Sequence, residues 1–140
     1  MMKEADIRAE CACGQAKLTL SGPPKTTMLC ACKDCQKSTG TDHAALAIWP
    51  EDRLQFEGET THFDTTADSG ATVHRHRCTR CGTPVYGIST RLKGHRLIPL
   101  GLLGEAANQF APKSMIFARS KYEWDHTSDG LAQYATYRDS

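Results

Sequence analysis

Apolar and polar residues alternate along this chain in short runs, each stopped by a cluster of turn-forming residues. A period of two marks extended strands, because successive side chains on such a backbone point to opposite faces. On that basis strands are expected over residues 7–10, 16–20, 26–29, 44–49, 54–56, 61–65, 72–77, 85–89, 96–102 and 114–118. Between them lie Ser21-Gly22-Pro23-Pro24, Trp49-Pro50-Glu51-Asp52, Ala67-Asp68-Ser69-Gly70 and Ala111-Pro112. Their Gly, Pro and Asp residues favour turns and interrupt hydrogen-bonded ladders. Helical patterning is confined to 33–38, 104–109 and 129–134. The pattern therefore predicts a mainly β chain, built as a sandwich or as folded sheets.

At 140 residues, without repeats or a linker-like stretch, the chain is expected to form a single domain, 1–140, with one modest core. A small β-domain of this kind can use bound metal in place of part of a core. Charge adds little: Lys and Arg total 17 against 16 for Asp and Glu. That balance gives no general attraction to nucleic acid or to an anionic membrane. No apolar run reaches the roughly 18 residues of a membrane span, and Met1-Met2-Lys3-Glu4-Ala5-Asp6 leads into no signal-like segment. A cytoplasmic location is the expectation.

Chemistry enters through seven cysteines in three groups, Cys11-Ala-Cys13, Cys30-Ala-Cys32-Lys-Asp-Cys35 and Cys78-Thr-Arg-Cys81. In a reducing compartment such spacing points to metal rather than disulfides, and an odd count argues the same way. Zinc is the leading candidate. Cys13 and Cys81 are each followed by glycine, Gly14 and Gly82, where a chain turning tightly around a ligand often needs positive φ; Cys35 is followed by Gln36 instead. That similarity groups Cys11, Cys13, Cys78 and Cys81 as one four-thiolate structural site. Two close pairs outweigh the alternative of buried free thiols serving as small apolar side chains.

Cys30, Cys32 and Cys35 then supply three thiolates from one short loop. Three protein ligands with an exchangeable position suit a catalytic zinc, whereas a fourth ligand such as His43 would close the site. Spacing alone leaves both open. Disulfide exchange at Cys32-x-x-Cys35 lacks the expected βαβ setting. A thiolate-rich site generates hydroxide poorly but suits an incoming thiol, which becomes a nucleophile toward a carbonyl compound on losing its proton.

The succession C-x-C-G, C-x-C-x-x-C-Q-K-S-T-G and C-x-x-C-G, running from about Glu10 to Trp124, resembles the glutathione-dependent formaldehyde-activating enzyme family, which includes centromere-protein-V-like proteins. The resemblance implies a β-tent fold of short antiparallel strands and two zinc ions per chain. One would be structural, held by Cys11, Cys13, Cys78 and Cys81; the other catalytic, held by Cys30, Cys32 and Cys35. It further implies a carbon–sulfur lyase that condenses glutathione with formaldehyde to S-hydroxymethylglutathione. A different class of function, a non-catalytic zinc-stabilised binding module, would follow if both metal sites were closed.

Several other features have plainer readings. Gln36, Lys37, Ser38 and Thr39 could orient a substrate, although Ser38-Thr39-Gly40 more simply ends a helical turn. Where the family often has an aromatic residue before the last cysteine pair, this chain has Arg77, within the basic stretch 74–80. That stretch could bind carboxylates or phosphate, but a solvated strand face is the favoured reading. Nucleic-acid binding is disfavoured because no basic stripe is interleaved with aromatics. His62, His95 and His126 receive no role, and Trp49, Phe56, Phe63, Phe110, Phe117 and Trp124 are read as core or lid residues.

Overall fold

The computed structural model describes residues 6–138. The strands are β1 (Ile7–Glu10), β2 (Lys17–Leu20), β3 (Thr26–Cys30), β4 (Ala44–Pro50), β5 (Leu54–Glu57), β6 (Thr60–Thr66), β7 (Thr72–Cys78), β8 (Pro84–Ser89), β9 (His95–Pro99), β10 (Ser114–Ile116) and β11 (Ala132–Gln133). One α-helix, α1 (Lys33–Thr39), follows β3. Short 3-10 segments complete the described structure, including Leu100–Gln109.

Two sheets form. The smaller runs β1-β2-β5, and the larger runs β11-β10-β3-β4-β9-β8-β7-β6. The expected antiparallel order holds for most neighbours, but β10 lies parallel to both β3 and β11, so the large sheet is mixed. Alternation works as read: on β2, Leu18 and Leu20 are buried while Lys17 is exposed. Residues of the small sheet pack against Ala47, Trp49, Val85 and Ile98 of the large one, and Leu100 and Leu103 close the same core. Trp49 is fully buried, its indole N–H donates to the Ser21 carbonyl at 3.0 Å, and Phe110 meets its ring edge-on at 5.6 Å. Burying an aromatic of this size contributes more than most core residues, and its single polar atom is satisfied.

Three expectations change. The strand foreseen over 96–102 stops at Pro99, and the chain turns into the 3-10 segment that occupies the predicted helix at 104–109. No helix forms over 129–134; turns lead there into β11, a two-residue edge strand. Trp124 and Phe63 are exposed rather than core residues, with Trp124 stacked on Tyr122 at 5.2 Å.

Candidate metal centres and active site

Cys11 and Cys13 follow β1, while Cys78 ends β7 and Cys81 follows it. Both loops fold alike. The Cys11 amide donates to the Ala16 carbonyl at 2.9 Å, and the Cys78 amide donates to Thr83, likewise five residues on, at 2.9 Å. Gly14 and Gly82 then donate back to the first cysteine's carbonyl, each at 3.0 Å, with φ of 83° and 77°. The left-handed conformation costs glycine little, so each loop can turn its second thiol toward the other pair.

The four ligand sulfurs lie within 4.8 Å of one another, with Cys11–Cys13 at 3.6 Å and Cys13–Cys78 at 3.7 Å. Four thiolates at the usual zinc–sulfur bond of about 2.3 Å would sit roughly 3.8 Å apart on a tetrahedron. The thiols are free, with no disulfide among them. Further donors face the sulfurs: the Ala16 amide to Cys11, and the Gln15 side-chain amide to Cys78, both at 3.2 Å. Thr83 bridges the loops, its hydroxyl lying 3.1 Å from the Cys81 sulfur and accepting from the Ala12 amide. Hydrogen bonds from the Thr83 side chain and then its backbone bring the Cys81 thiol down to about 5, so it is ready to ligate as thiolate. The set therefore fits a cation in both distance and donor type.

Cys30, Cys32 and Cys35 form a second group within the same 4.8 Å limit. Cys30 ends β3, held between Ala44 of β4 and Ile116 of β10, which buries it. Cys32 is the N-cap of α1, and its sulfur accepts from the Cys35 amide at 3.3 Å. Hydrogen bonds from Cys30 and Cys35, joined by that amide and by the charge of Arg75, bring Cys32 down to about 2. The same thiol contacts and burial push Cys30 upward. One thiolate is thus shared among three sulfurs, a donor set suited to a thiophilic metal.

Among the described residues, no histidine or carboxylate joins this group. His43, which could have closed it, instead donates from Nδ1 to Asp125 at 2.9 Å. Asp125 is buried and also accepts from the Thr127 hydroxyl at 2.6 Å. Ser38-Thr39-Gly40 ends the helical turn as read, while Ser38 and Thr39 also line the cavity beside the three cysteines. Ser38 and Thr39 hydroxyls donate to the Cys35 carbonyl, Gly40 caps α1, and the Gln36 side-chain amide donates to the carbonyls of Ala31 and Ser120.

The three cysteines line a cavity of about 670 Å³, a size that suits a small organic ligand. The basic stretch divides there. Arg75 and Arg77 line the cavity rather than forming a solvated face, and both reach α1: Arg75 donates to the Ser38 hydroxyl at 3.3 Å, Arg77 to the Ser38 carbonyl at 2.6 Å. A bulge between His76 and Arg77 shifts the register just before Cys78, and such bulges re-aim side chains. Arg75 also donates to the Thr65 hydroxyl at 3.4 Å, and among the described residues no carboxylate pairs with it. Seven cations line the cavity (Lys25, Lys33, Arg75, Arg77, Arg91, Arg119 and Arg138) against the carboxylates of Asp34 and Asp68. The cavity thus carries an excess of positive charge beside a cluster of thiols.

The family model for the glutathione-dependent formaldehyde-activating enzyme matches residues 6–120. The chain belongs to this family. Within the formaldehyde-activating family, two similar fungal proteins, from Fusarium vanettenii and Penicillium rubens, are each named "Putative glutathione-dependent formaldehyde-activating enzyme". Each is 25% identical over 81 residues, 58% of this chain, a stretch covering 43% and 42% of those proteins. The matched part thus spans under half the length of the curated relatives. A Rhodobacter sphaeroides protein of known crystal structure shares the fold, with a TM-score of 0.57 at 14% identity over 71% of this chain and 89% of that one. The family assignment and the two cysteine groups point the same way, since every cysteine of the chain falls inside the matched residues. No helix among the described residues is long and apolar enough to cross a membrane.

Proposed function

We propose that this chain is a zinc-dependent carbon–sulfur lyase that joins a thiol to an aldehyde and reverses that addition, with glutathione and formaldehyde as the default pair. The observation that carries this reading is the set of three cysteines without a fourth side-chain ligand among the described residues, opening onto a cationic cavity. Cys30, Cys32 and Cys35 would hold the catalytic zinc, and Cys11, Cys13, Cys78 and Cys81 a structural one, in a single domain of the family's zinc-stabilised β-tent type. A reducing cytoplasm suits this reading, since closely spaced thiols stay available to metal there.

When bound at the three cysteines, zinc would favour the thiolate form of an incoming thiol. In the reaction a sulfur–carbon bond forms, the aldehyde π pair moves to oxygen, and the proton lost by sulfur ends on that oxygen. The chain's own residues supply placement and charge. Arg75 and Arg77 are anchored to Ser38, next to the ligand turn, so their guanidinium groups are held rather than free to wander. Guanidinium binds carboxylate in a planar, two-point fashion, which suits a thiol carrying carboxylates such as glutathione. Ile116 and Phe117 line the same cavity and pack against the cysteine cluster, which puts apolar surface beside the thiols.

The deciding experiment titrates zinc-loaded protein with glutathione, alone and with formaldehyde, following metal coordination by X-ray absorption and adduct formation by NMR. Glutathione is expected to add sulfur to the coordination shell of one of two metals, and the adduct to equilibrate faster than in buffer. Unchanged coordination at saturating glutathione would overturn the enzymatic reading and favour a zinc-stabilised binding module.

A further inference from the structure

We infer that His62, Asp64 and His74, on the outer strand pair of the large sheet, form a third metal site that takes a divalent transition ion of the zinc, cobalt or nickel type. This inference does not rest on the proposed reaction, because it concerns residues apart from both cysteine groups. β6 is one edge of the eight-stranded sheet and, among the described residues, pairs with β7 alone. His62 and Asp64 are alternate residues of β6, so they share a face. Register places Asp64 opposite His74 and His62 opposite His76. Three imidazoles and one carboxylate therefore occupy the corners of a single two-by-two block.

The carboxylate is the hub. Both His62 and His74 donate from Nδ1 to the same oxygen, Asp64 Oδ1, at 2.9 and 2.7 Å. The two rings stand almost perpendicular, with centroids 5.6 Å apart, so their Nδ1 atoms approach one point from different directions. The three ligand atoms all lie within 4.8 Å of one another. For bonds of about 2.0–2.1 Å, ligand atoms around a metal sit roughly 3.0–3.4 Å apart. The two N–O contacts need to open by a few tenths of an ångström, and side chains exposed by 47%, 45% and 33% are free to adjust around an ion.

The ion replaces two N–H···O bonds. Each imidazole carries its proton on Nε2 instead and offers the Nδ1 lone pair, while Asp64 stays a carboxylate. Two nitrogens and one oxygen are a borderline donor set, suited to zinc, cobalt or nickel rather than to calcium or magnesium, which prefer oxygen alone. His76 steadies the arrangement: its ring lies 4.8 Å from that of His62, it stacks on Tyr86 at 4.4 Å, and its Nδ1 pairs with the Thr60 hydroxyl at 2.9 Å. That ring contact limits how far the His62 imidazole can swing. Exposure leaves the remaining coordination positions to water, so the bound ion exchanges freely.

The test adds cobalt(II) to protein carrying only two equivalents of zinc, which the thiolate-rich cysteine groups take ahead of an exposed two-histidine site. Cobalt binds a given site more weakly than zinc, so it leaves zinc on the cysteines. Sulfur ligation would also betray itself by a thiolate charge-transfer band. The expected result is one further saturable equivalent with ligand-field absorption, no sulfur charge transfer, and paramagnetic broadening centred on the His62 and His74 ring signals. His74→Ala and Asp64→Asn should each weaken this binding about tenfold or more, and His76→Ala should weaken it less than either. No additional saturable equivalent, a sulfur charge-transfer band, or undiminished binding by His62→Ala/His74→Ala would overturn the inference. The broadening pattern in the unsubstituted protein decides the matter even if a variant folds poorly.

Discussion

The two cysteine centres differ first in how far apart their ligands lie along the chain. Cys13 and Cys78 are 65 residues apart, and their contact ties the loop after β1 to the end of β7. Cys30, Cys32 and Cys35 all lie within a single β3–α1 junction. A cation at the first group would close a long loop and hold two sheets in register, while one at the second closes almost nothing. Surroundings differ as well. The four sulfurs meet backbone amides, Gln15 and Thr83, whereas the three sulfurs meet a cavity and the Arg75 charge. Distance along the chain thus separates a group that can hold the fold from one that can face a ligand.

The sharpest way to break that comparison is to remove one thiolate from each. Cys78→Ser should cost more than about 4–5 kcal/mol and leave little folded protein, because it strands three thiols and severs the long-range tie. Cys32→Ser should keep the fold: serine is itself a good N-cap, so the hydrogen bond from the Cys35 amide survives. It should lose one metal and the adduct chemistry together. Chemical denaturation with metal analysis on both variants reads the difference, and equal unfolding by the two would erase the proposed division of labour. Graded chelation of the unsubstituted protein should sort the centres likewise. Metal facing the cavity should leave first with the melt little changed, and metal among the four cysteines later, with cooperative unfolding.

A smaller effect is expected at Arg75. Arg75→Ala should raise KM for a carboxylate-bearing thiol about 10–100-fold, the size of a charged hydrogen bond, with metal content unchanged. Arg75→Lys should recover part of that loss, since it keeps the charge without the fork. A neutral thiol lacking carboxylates should respond weakly to either change. If both thiols lose equally, Arg75 serves the shape of the cavity, not its charge.

Much of this was legible from the residues. Alternation locates ten of the strands to within a few positions, and the glycines after Cys13 and Cys81 mark two matching turns. Where the reading failed, the cause was non-local. β11 is two residues long and exists only because β10 offers it an edge, so no internal pattern distinguishes it from the helix expected at 129–134. Pro99 permits one more ladder pair and then a 3-10 turn, a choice made by packing against the small sheet. Arg75 looked like a solvated strand residue because alternation gives the face of a side chain but not what lies over that face. The period along β7 does set Val73, Arg75 and Arg77 together, and that was the available signal. Asp125 had none, since its partner His43 is 82 residues away.

That last pair offers the finest test of the contrast, because it fastens the three-cysteine half without metal. Asp125 is 2% exposed. Burial alone would raise its pKa, but the bonds from Thr127 and His43 outweigh burial and hold it below the ordinary 3.8. A carboxylate whose folded pKa lies below its unfolded one contributes stability that is fully present above the unfolded value and fades as pH falls through the folded one. Asp125→Asn should therefore cost about 1–2 kcal/mol at pH 5–7, and the gap from the unsubstituted protein should narrow only below about pH 4. Urea unfolding across that range, with metal content held constant, measures it. A gap that narrowed well above pH 4 would move the fastening from the carboxylate to another group. A gap that vanished on metal removal would make this half, too, dependent on its metal for its shape.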